Sequence, residues 1–215
     1  MSIVTVSGLP GSGTSTVSRL LVERTGWEYV NVGAVFRQMA AEAGLSLAEY
    51  GKRAEADGAI DRELDARTVT LARDAGAGAI LEGRLSGWMA HRHQLPALKV
   101  WLDADRQTRV ERIARRDGQS FDAALVAISE RERSERERYA AFHGIDISDL
   151  SIYDLTPDSA HCSAAEIAAA IAAHLEPPLE QAEPQKGSAD THRVSAAAAG
   201  GAGGGRPAPK EKGGT

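Results

Sequence analysis

Five short apolar runs alternate with longer stretches of helical periodicity from residue 3 to residue 175. "IVTVSG" (3–8), "EYVNV" (28–32), "GAILEG" (78–83), "LKVWLDA" (98–104) and "LSIYDL" (150–155) read as strands. Because they are apolar on both faces and separated by helices, they predict βαβ units and a parallel sheet covered on both sides. "TSTVSRLLVERTG" (14–26) and "AVFRQMAAEAG" (34–44) read as helices that end in a glycine suited to a C-cap. "LSLAEYGKRAEAD" and "AIDRELDARTVTLARDAG" predict two more, the second with Leu64, Val69, Leu71 and Ala72 at helical spacing. The basic stretch "RQTRVERIARRDG", the charged run 121–142 and "AAEIAAAIAAHL" (164–175) complete the series. The fold class expected is α/β, a three-layer arrangement around a five-stranded parallel sheet. Ligands of such sheets sit beyond the carboxyl ends of the strands, so the chemistry is expected in loops 8–16, 33–37, 82–88 and 103–106.

The composition changes sharply near residue 175. Residues 175–215 carry five of the eight prolines, eight of the 22 glycines and no aromatic residue. This segment is expected to be a disordered Pro/Gly/Ala-rich tail, because it cannot bury enough apolar surface to offset chain entropy. Its five basic residues balance five acidic ones, so the net charge of -5 belongs to residues 1–174, the expected single folded domain. That charge gives no general attraction to nucleic acid. No apolar run is long enough to span a membrane, and the chain enters its first strand without a signal-like region, so a cytoplasmic protein is expected. The single cysteine, Cys162, excludes an internal disulfide and a cysteine-based metal cluster. His91 and His93 have a metal-like spacing but no third ligand near, and read as a solvated loop.

"GLPGSGTST" (8–16) follows the first strand and opens the first helix. Gly8, Gly13 and Ser15 fit the pattern G-x-x-x-x-G-K-[ST], but Thr14 stands in the lysine slot. Glycines at 8, 11 and 13 let backbone amides approach a phosphate, and the helix N-terminus adds partial positive charge. Ser15 takes the position whose hydroxyl meets Mg²⁺ in such loops. The same residues would serve as a plain strand–helix turn capped by Thr14 or Ser15, and the strand before and helix after favour the phosphate loop. The missing lysine removes a contact worth about 1.5–3 kcal/mol, so other groups must supply positive charge.

Arginines are the candidates for that charge. "ILEGRLSGW" (80–88) ends a buried strand in Glu82, a candidate Mg²⁺ carboxylate, then Gly83 and Arg84, whose fork suits a phosphate. A solvated Glu–Arg pair is the alternative there. Arg37 in "FRQMA", with Asp61 and Arg62 in "IDREL", falls near the same sheet edge. In the run "SERERSERERY" (129–139), Glu132–Arg136 and Arg133–Glu137 have the spacing of exposed helical pairs. Arg131, Glu135 and Arg138 nevertheless share one stripe, and Arg109, Arg112 and Arg116 form another opposite Val110, Ile113 and Ala114. Two such helices, closing as a lid over a triphosphate, would deliver charge to its equatorial oxygens.

"GLPGSGTSTVSRLL", "NVGAVFRQMA", "IDRELD", "LEGRLSGW", "VWLDA", the arginine-rich run and "HGIDISDLSIYDL" together resemble the archaeal-type cytidylate kinases, over about residues 1–172. The resemblance implies a P-loop kinase with monophosphate-binding helices at about 33–75 and an arginine-rich lid at about 115–138. It implies transfer from Mg-ATP to CMP or dCMP, with ATP and Mg²⁺ as cofactors and no nucleic-acid or membrane partner, in a monomer. ATP would be bound by Gly8, Leu9, Pro10, Gly11, Ser12, Gly13, Thr14, Ser15 and Thr16. The monophosphate would fall to Arg37, Asp61, Arg62, Gly83 and Arg84, the metal to Ser15 and Glu82, and catalysis to Arg116, Arg131 and Arg138. Two other readings stand beside this one: a kinase of AMP or UMP, and a weakly catalytic nucleotide-binding regulator that lost its lysine.

Overall fold

The structure, a computed structural model, describes residues 2–175. The chain runs β1 (Ser2–Gly8), α1 (Thr14–Thr25), β2 (Glu28–Asn31), α2 (Val32–Glu42), α3 (Leu47–Ala56) and α4 (Gly58–Asp74). It continues through β3 (Gly78–Glu82), α5 (Ser86–Arg92), β4 (Ala97–Leu102), α6 (Arg106–Asp117), α7 (Phe121–His143) and α8 (Ala164–Ala173). The strands form a four-stranded parallel sheet in the order β2-β3-β1-β4. The expected tail at 175–215 lies, beyond Leu175, outside the described residues.

Side chains alternate across the central strands and so feed two separate cores. Val4 and Val6 of β1, with Ile80 of β3, pack on one face against Val17 and Leu21 of α1 and Ile167 and Ile171 of α8. Ile3, Ala79 and Leu81 face the other way, toward Val30, Ala72 and Ala75. Helices α2, α3 and α4 build a core of their own from Val35, Met39, Tyr50, Ala54, Ile60 and Leu64. Val110 and Ile113 of α6 lock onto Ala124 and Ile128 of α7. Phosphate-loop, α2–α4 and α6–α7 segments therefore each have an apolar anchor, and all converge on the carboxyl edge of the sheet.

Two expectations fail. The fifth predicted strand, 150–155, does not form. Ser151 and Ile152 lie in a turn, and the chain then meets β4 only through isolated parallel bridges at Val100–Leu155 and Asp103–Asp158. The first part of the run closes a turn, Tyr153 donating to the Leu150 carbonyl, and Pro157 then interrupts the pairing with β4. Leu155 donates to the Lys99 carbonyl and Ser159 to that of Asp103, but between them Pro157 has no N–H to give. The second failure is at His91 and His93: the expected loop is the end of α5, whose C-cap is His93, although both histidines are exposed. Gly87 permits that helix to sit close, since a β-carbon there would overlap the ring of Tyr153.

Candidate active site

The phosphate loop turns where its glycines allow. Gly11 and Gly13 have φ of 87° and 91°, in the left-handed region that side chains resist. A β-carbon on Gly11 would lie 2.5 Å from the Arg109 carbonyl, whereas one on Gly13 would meet only the Arg112 Nη1 at 4.0 Å. The loop is thus packed tightly behind and open in front. Thr16 and Val17 donate their amides to Gly13, which leaves the amides of Thr14 and Ser15 as the unpaired start of α1. Two free donors at a helix N-terminus, beside an open glycine, fit an anionic oxygen.

Glu82, at the end of β3, is the hub beside this loop. Its Oε1 accepts from the hydroxyls of Thr14 at 2.8 Å and Ser15 at 2.6 Å. Its Oε2 accepts from the Tyr29 hydroxyl and the Asn31 amide, both from β2. Tyr29 is pushed up to about 12, chiefly by burial and then by its bond to Glu82, so the phenol keeps its proton and donates. Thr14, in the lysine slot, therefore ties the loop to Glu82. The carboxylate and two hydroxyls form an all-oxygen donor set of the kind Mg²⁺ takes, so these residues fit that ion.

The three α6 arginines of the stripe do not act alike: Arg112 and Arg116 line the cleft, whereas Arg109 does not. Arg109 is buried, and donates to the carbonyls of Ala104 at 3.1 Å and Pro10 at 3.2 Å as well as to Glu132. Arg112 donates to the Gly11 carbonyl at 3.3 Å and to both the hydroxyl and carbonyl of Ser159. Both bond the phosphate loop, Arg109 from behind and Arg112 from the cleft wall. Arg116 lines the cleft with an exposed side chain paired to Asp117. Glu132 goes to Arg109 across the helix pair, not along α7 to Arg136 as its spacing predicts.

Arg84 joins three elements. Its Nη1 donates to the Gly8 carbonyl at 2.8 Å and its Nε to Glu135 of α7 at 3.1 Å. Arg131 donates to the other Glu135 oxygen at 2.9 Å. Burial pushes the Glu135 carboxyl up, but Arg84 and Arg131 outweigh it and hold it below the usual range. Arg138 lies 3.3 Å from Asp61, and His143 3.9 Å from Asp61 and 3.4 Å from Asp65. Arg37 is exposed at the rim.

One cleft of about 1280 Å³ gathers most of these groups. Its lining includes Pro10 through Val17, Arg37, Asp61, Glu82, Gly83, Arg84, Arg116, Arg131 and Arg138. Gly8 and Leu9 are not on that lining; Gly8 is buried in β1, and Leu9 packs among Leu85, Met89 and Trp101. Arg62 is absent from it too, because its guanidinium lies by Gly58.

Residues 3–161 match the cytidylate kinase-like family. The chain belongs to that family. It is 46% identical over 178 residues to the cytidylate kinase of Pyrococcus furiosus, a span of 81% of this chain and 90% of that one. The cytidylate kinase of Methanococcoides burtonii is 48% identical over 157 residues, 73% of this chain and 87% of the relative. Among solved structures, the shikimate kinase of Aquifex aeolicus superposes with a TM-score of 0.52 at 19% identity, covering 81% of this chain and 96% of that one. That likeness is one of fold.

Within this family member, sequence reading missed Tyr29, Asn31, Asp65, His143 and Ser159. Tyr29 and Asn31 carried a signal, since residues two apart at a strand's carboxyl end share a face. Asp61 and Asp65 carried one as well, at i and i+4 on α4. No helix among the described residues is long and apolar enough to cross a membrane.

Proposed function

We propose that the chain transfers the γ-phosphoryl group of Mg-ATP to CMP or dCMP, giving ADP and CDP or dCDP. The observation that carries this reading is the single cleft lined by the phosphate loop, the Glu82 hub and the arginines of 84, 116, 131 and 138. Membership of the cytidylate kinase-like family supports a cytidine monophosphate as acceptor.

Loop 8–16 cradles the ATP phosphates through the amides of Gly13, Thr14 and Ser15. Ser15 and Glu82 would hold Mg²⁺, which would supply positive charge to offset that of the phosphates. Gly83 lets α2 approach: a β-carbon there would lie 2.5 Å from a Val32 methyl, so Arg84 starts from a fixed backbone. Arg84 and Arg37 take the acceptor's monophosphate, and Arg84 also ties that end to Gly8 of the loop. Arg131 and Arg116, from the α6–α7 lid, supply charge to the transferring group in place of the loop lysine. No general base is needed, because the attacking phosphate oxygen is already ionised; the work is alignment and charge neutralisation.

ADP release with Mg-ATP and CMP, dCMP, UMP, AMP or no acceptor tests this. Turnover with CMP or dCMP at roughly 1–100 s⁻¹ is expected, with little from UMP or AMP. Preference for AMP or UMP would replace the acceptor assignment.

A further inference from the structure

Tyr29 and Asn31 stand two apart on β2, so both side chains leave the same face of the strand, opposite the buried Val30. Asn31 is the register partner of Glu82 in the parallel pairing of β2 with β3. Its Oδ1 caps α2 by accepting from the Ala34 amide at 2.8 Å. With that oxygen engaged, the Asn31 NH2 group turns the other way, donating to Glu82 Oε2 and, at 3.0 Å, to the Tyr29 hydroxyl. Tyr29 in turn donates to the same Oε2. Glu82 is 7% exposed and completes the set, its other oxygen holding the hydroxyls of Thr14 and Ser15. A polar network in which each member has a partner is rigid, and it selects one rotamer.

We propose that Tyr29 and Asn31 are positioning residues for the metal carboxylate, an assignment that rests on the reading of Ser15 and Glu82 as the Mg²⁺ site. A glutamate at the end of a strand can rotate about its last torsions and swing either oxygen toward the loop. Two donors on Oε2 pin that oxygen to β2, and Oε1 is left to the hydroxyls of Thr14 and Ser15. Tyr29 is not on the cleft lining, so it reaches the site only through these bonds. Outer donors of this kind orient a ligand, and losing one costs about 10–100-fold in metal affinity. Asn31 adds a link to the acceptor side, because the helix it caps carries Arg37.

The test measures Mn²⁺ binding to the full chain with ADP by electron paramagnetic resonance, beside ADP affinity in EDTA. Tyr29→Phe keeps the ring and removes its donor, while Asn31→Ser keeps a cap for α2 and removes the amide. Each should weaken Mn²⁺ binding about 10-fold and leave metal-free ADP affinity unchanged. Added to Glu82→Gln, Tyr29→Phe should change Mn²⁺ affinity by less than about 2-fold, because its effect runs through that carboxylate. Undiminished Mn²⁺ affinity in either single variant overturns the positioning role, and so does an equal fall in metal-free ADP affinity. A full loss from Tyr29→Phe in the Glu82→Gln background overturns it as well. A wild type that binds Mn²⁺ with ADP no better than Glu82→Gln does overturns the metal reading beneath it.

Discussion

Helices α6 and α7 each carry a row of arginines, and the rows do different things. On α6, Arg109 and Arg112 turn their guanidinium groups to backbone carbonyls of Ala104, Pro10, Gly11 and Ser159. They hold the phosphate loop, Arg109 from behind and Arg112 at the cleft wall. On α7, Arg131 and Arg138 face carboxylates at the cleft, Glu135 and Asp61. What separates the rows is an added set of backbone carbonyls: Arg109 holds the Glu132 carboxylate too, but it and Arg112 also bond the main chain of the phosphate loop. Carbonyls that cannot otherwise be satisfied convert an arginine into a strut, whereas a carboxylate at a cavity wall holds it ready for an anion.

Removing one residue from each row should sharpen this contrast. The largest effect is expected for Arg109→Ala, which leaves Glu132 buried without its counter-charge. A loss of about 3–5 kcal/mol in denaturant unfolding is predicted. A loss below about 1 kcal/mol would mean that Arg109 is not a strut. Arg131→Ala should leave stability within about 0.5 kcal/mol, since the residue is mostly exposed, but lower kcat about 10–100-fold with little change in KM. Arg84→Ala should act chiefly on the KM for the monophosphate. Equal KM effects from both variants would erase the division of roles.

The last effect concerns Asp65 and shows only as pH rises. Burial, and then the nearby Asp61 charge, push its carboxyl from an ordinary 3.8 up to about 7. His143, 3.4 Å away, offers little relief, because burial lowers its own tendency to protonate. The folded state thus keeps a proton that the unfolded chain has released. This contribution to stability is full below an ordinary carboxyl's range and is lost as pH rises through about 7. Asp65→Asn should therefore gain stability over wild type as pH rises from about 4 to about 7, by on the order of a few kcal/mol at pH 8 and much less at pH 4. Parallel stability curves across that range would contradict it.

The phosphate loop was legible because its requirements are local: glycines where φ is positive, with a strand before and a helix after. The strand and helix order was legible for the same reason, as periods of two and 3.6 are written in short windows. What faced each arginine was not local. Arg109 and Arg112 share a stripe with Arg116 in the sequence, but their partners Pro10 and Gly11 lie about a hundred positions away in the chain. The Glu82 hub was half read: Ser15 was paired with it as a metal site, while Tyr29 and Asn31, two apart on one strand face, meet a residue more than fifty positions away. Pro157 was visible throughout, and its missing N–H helps explain why the fifth strand is only a pair of bridges.

The central claim is that the loop works without its lysine, because Thr14 is engaged with Glu82 and arginines bring the charge. The most direct test is CDP formation from CMP and Mg-ATP by wild type and Thr14→Lys, at matched protein folding. Full turnover by wild type, with Thr14→Lys no faster, is the predicted result. Activity that appears only when lysine is installed would contradict the account, and would make the native chain a nucleotide-binding regulator.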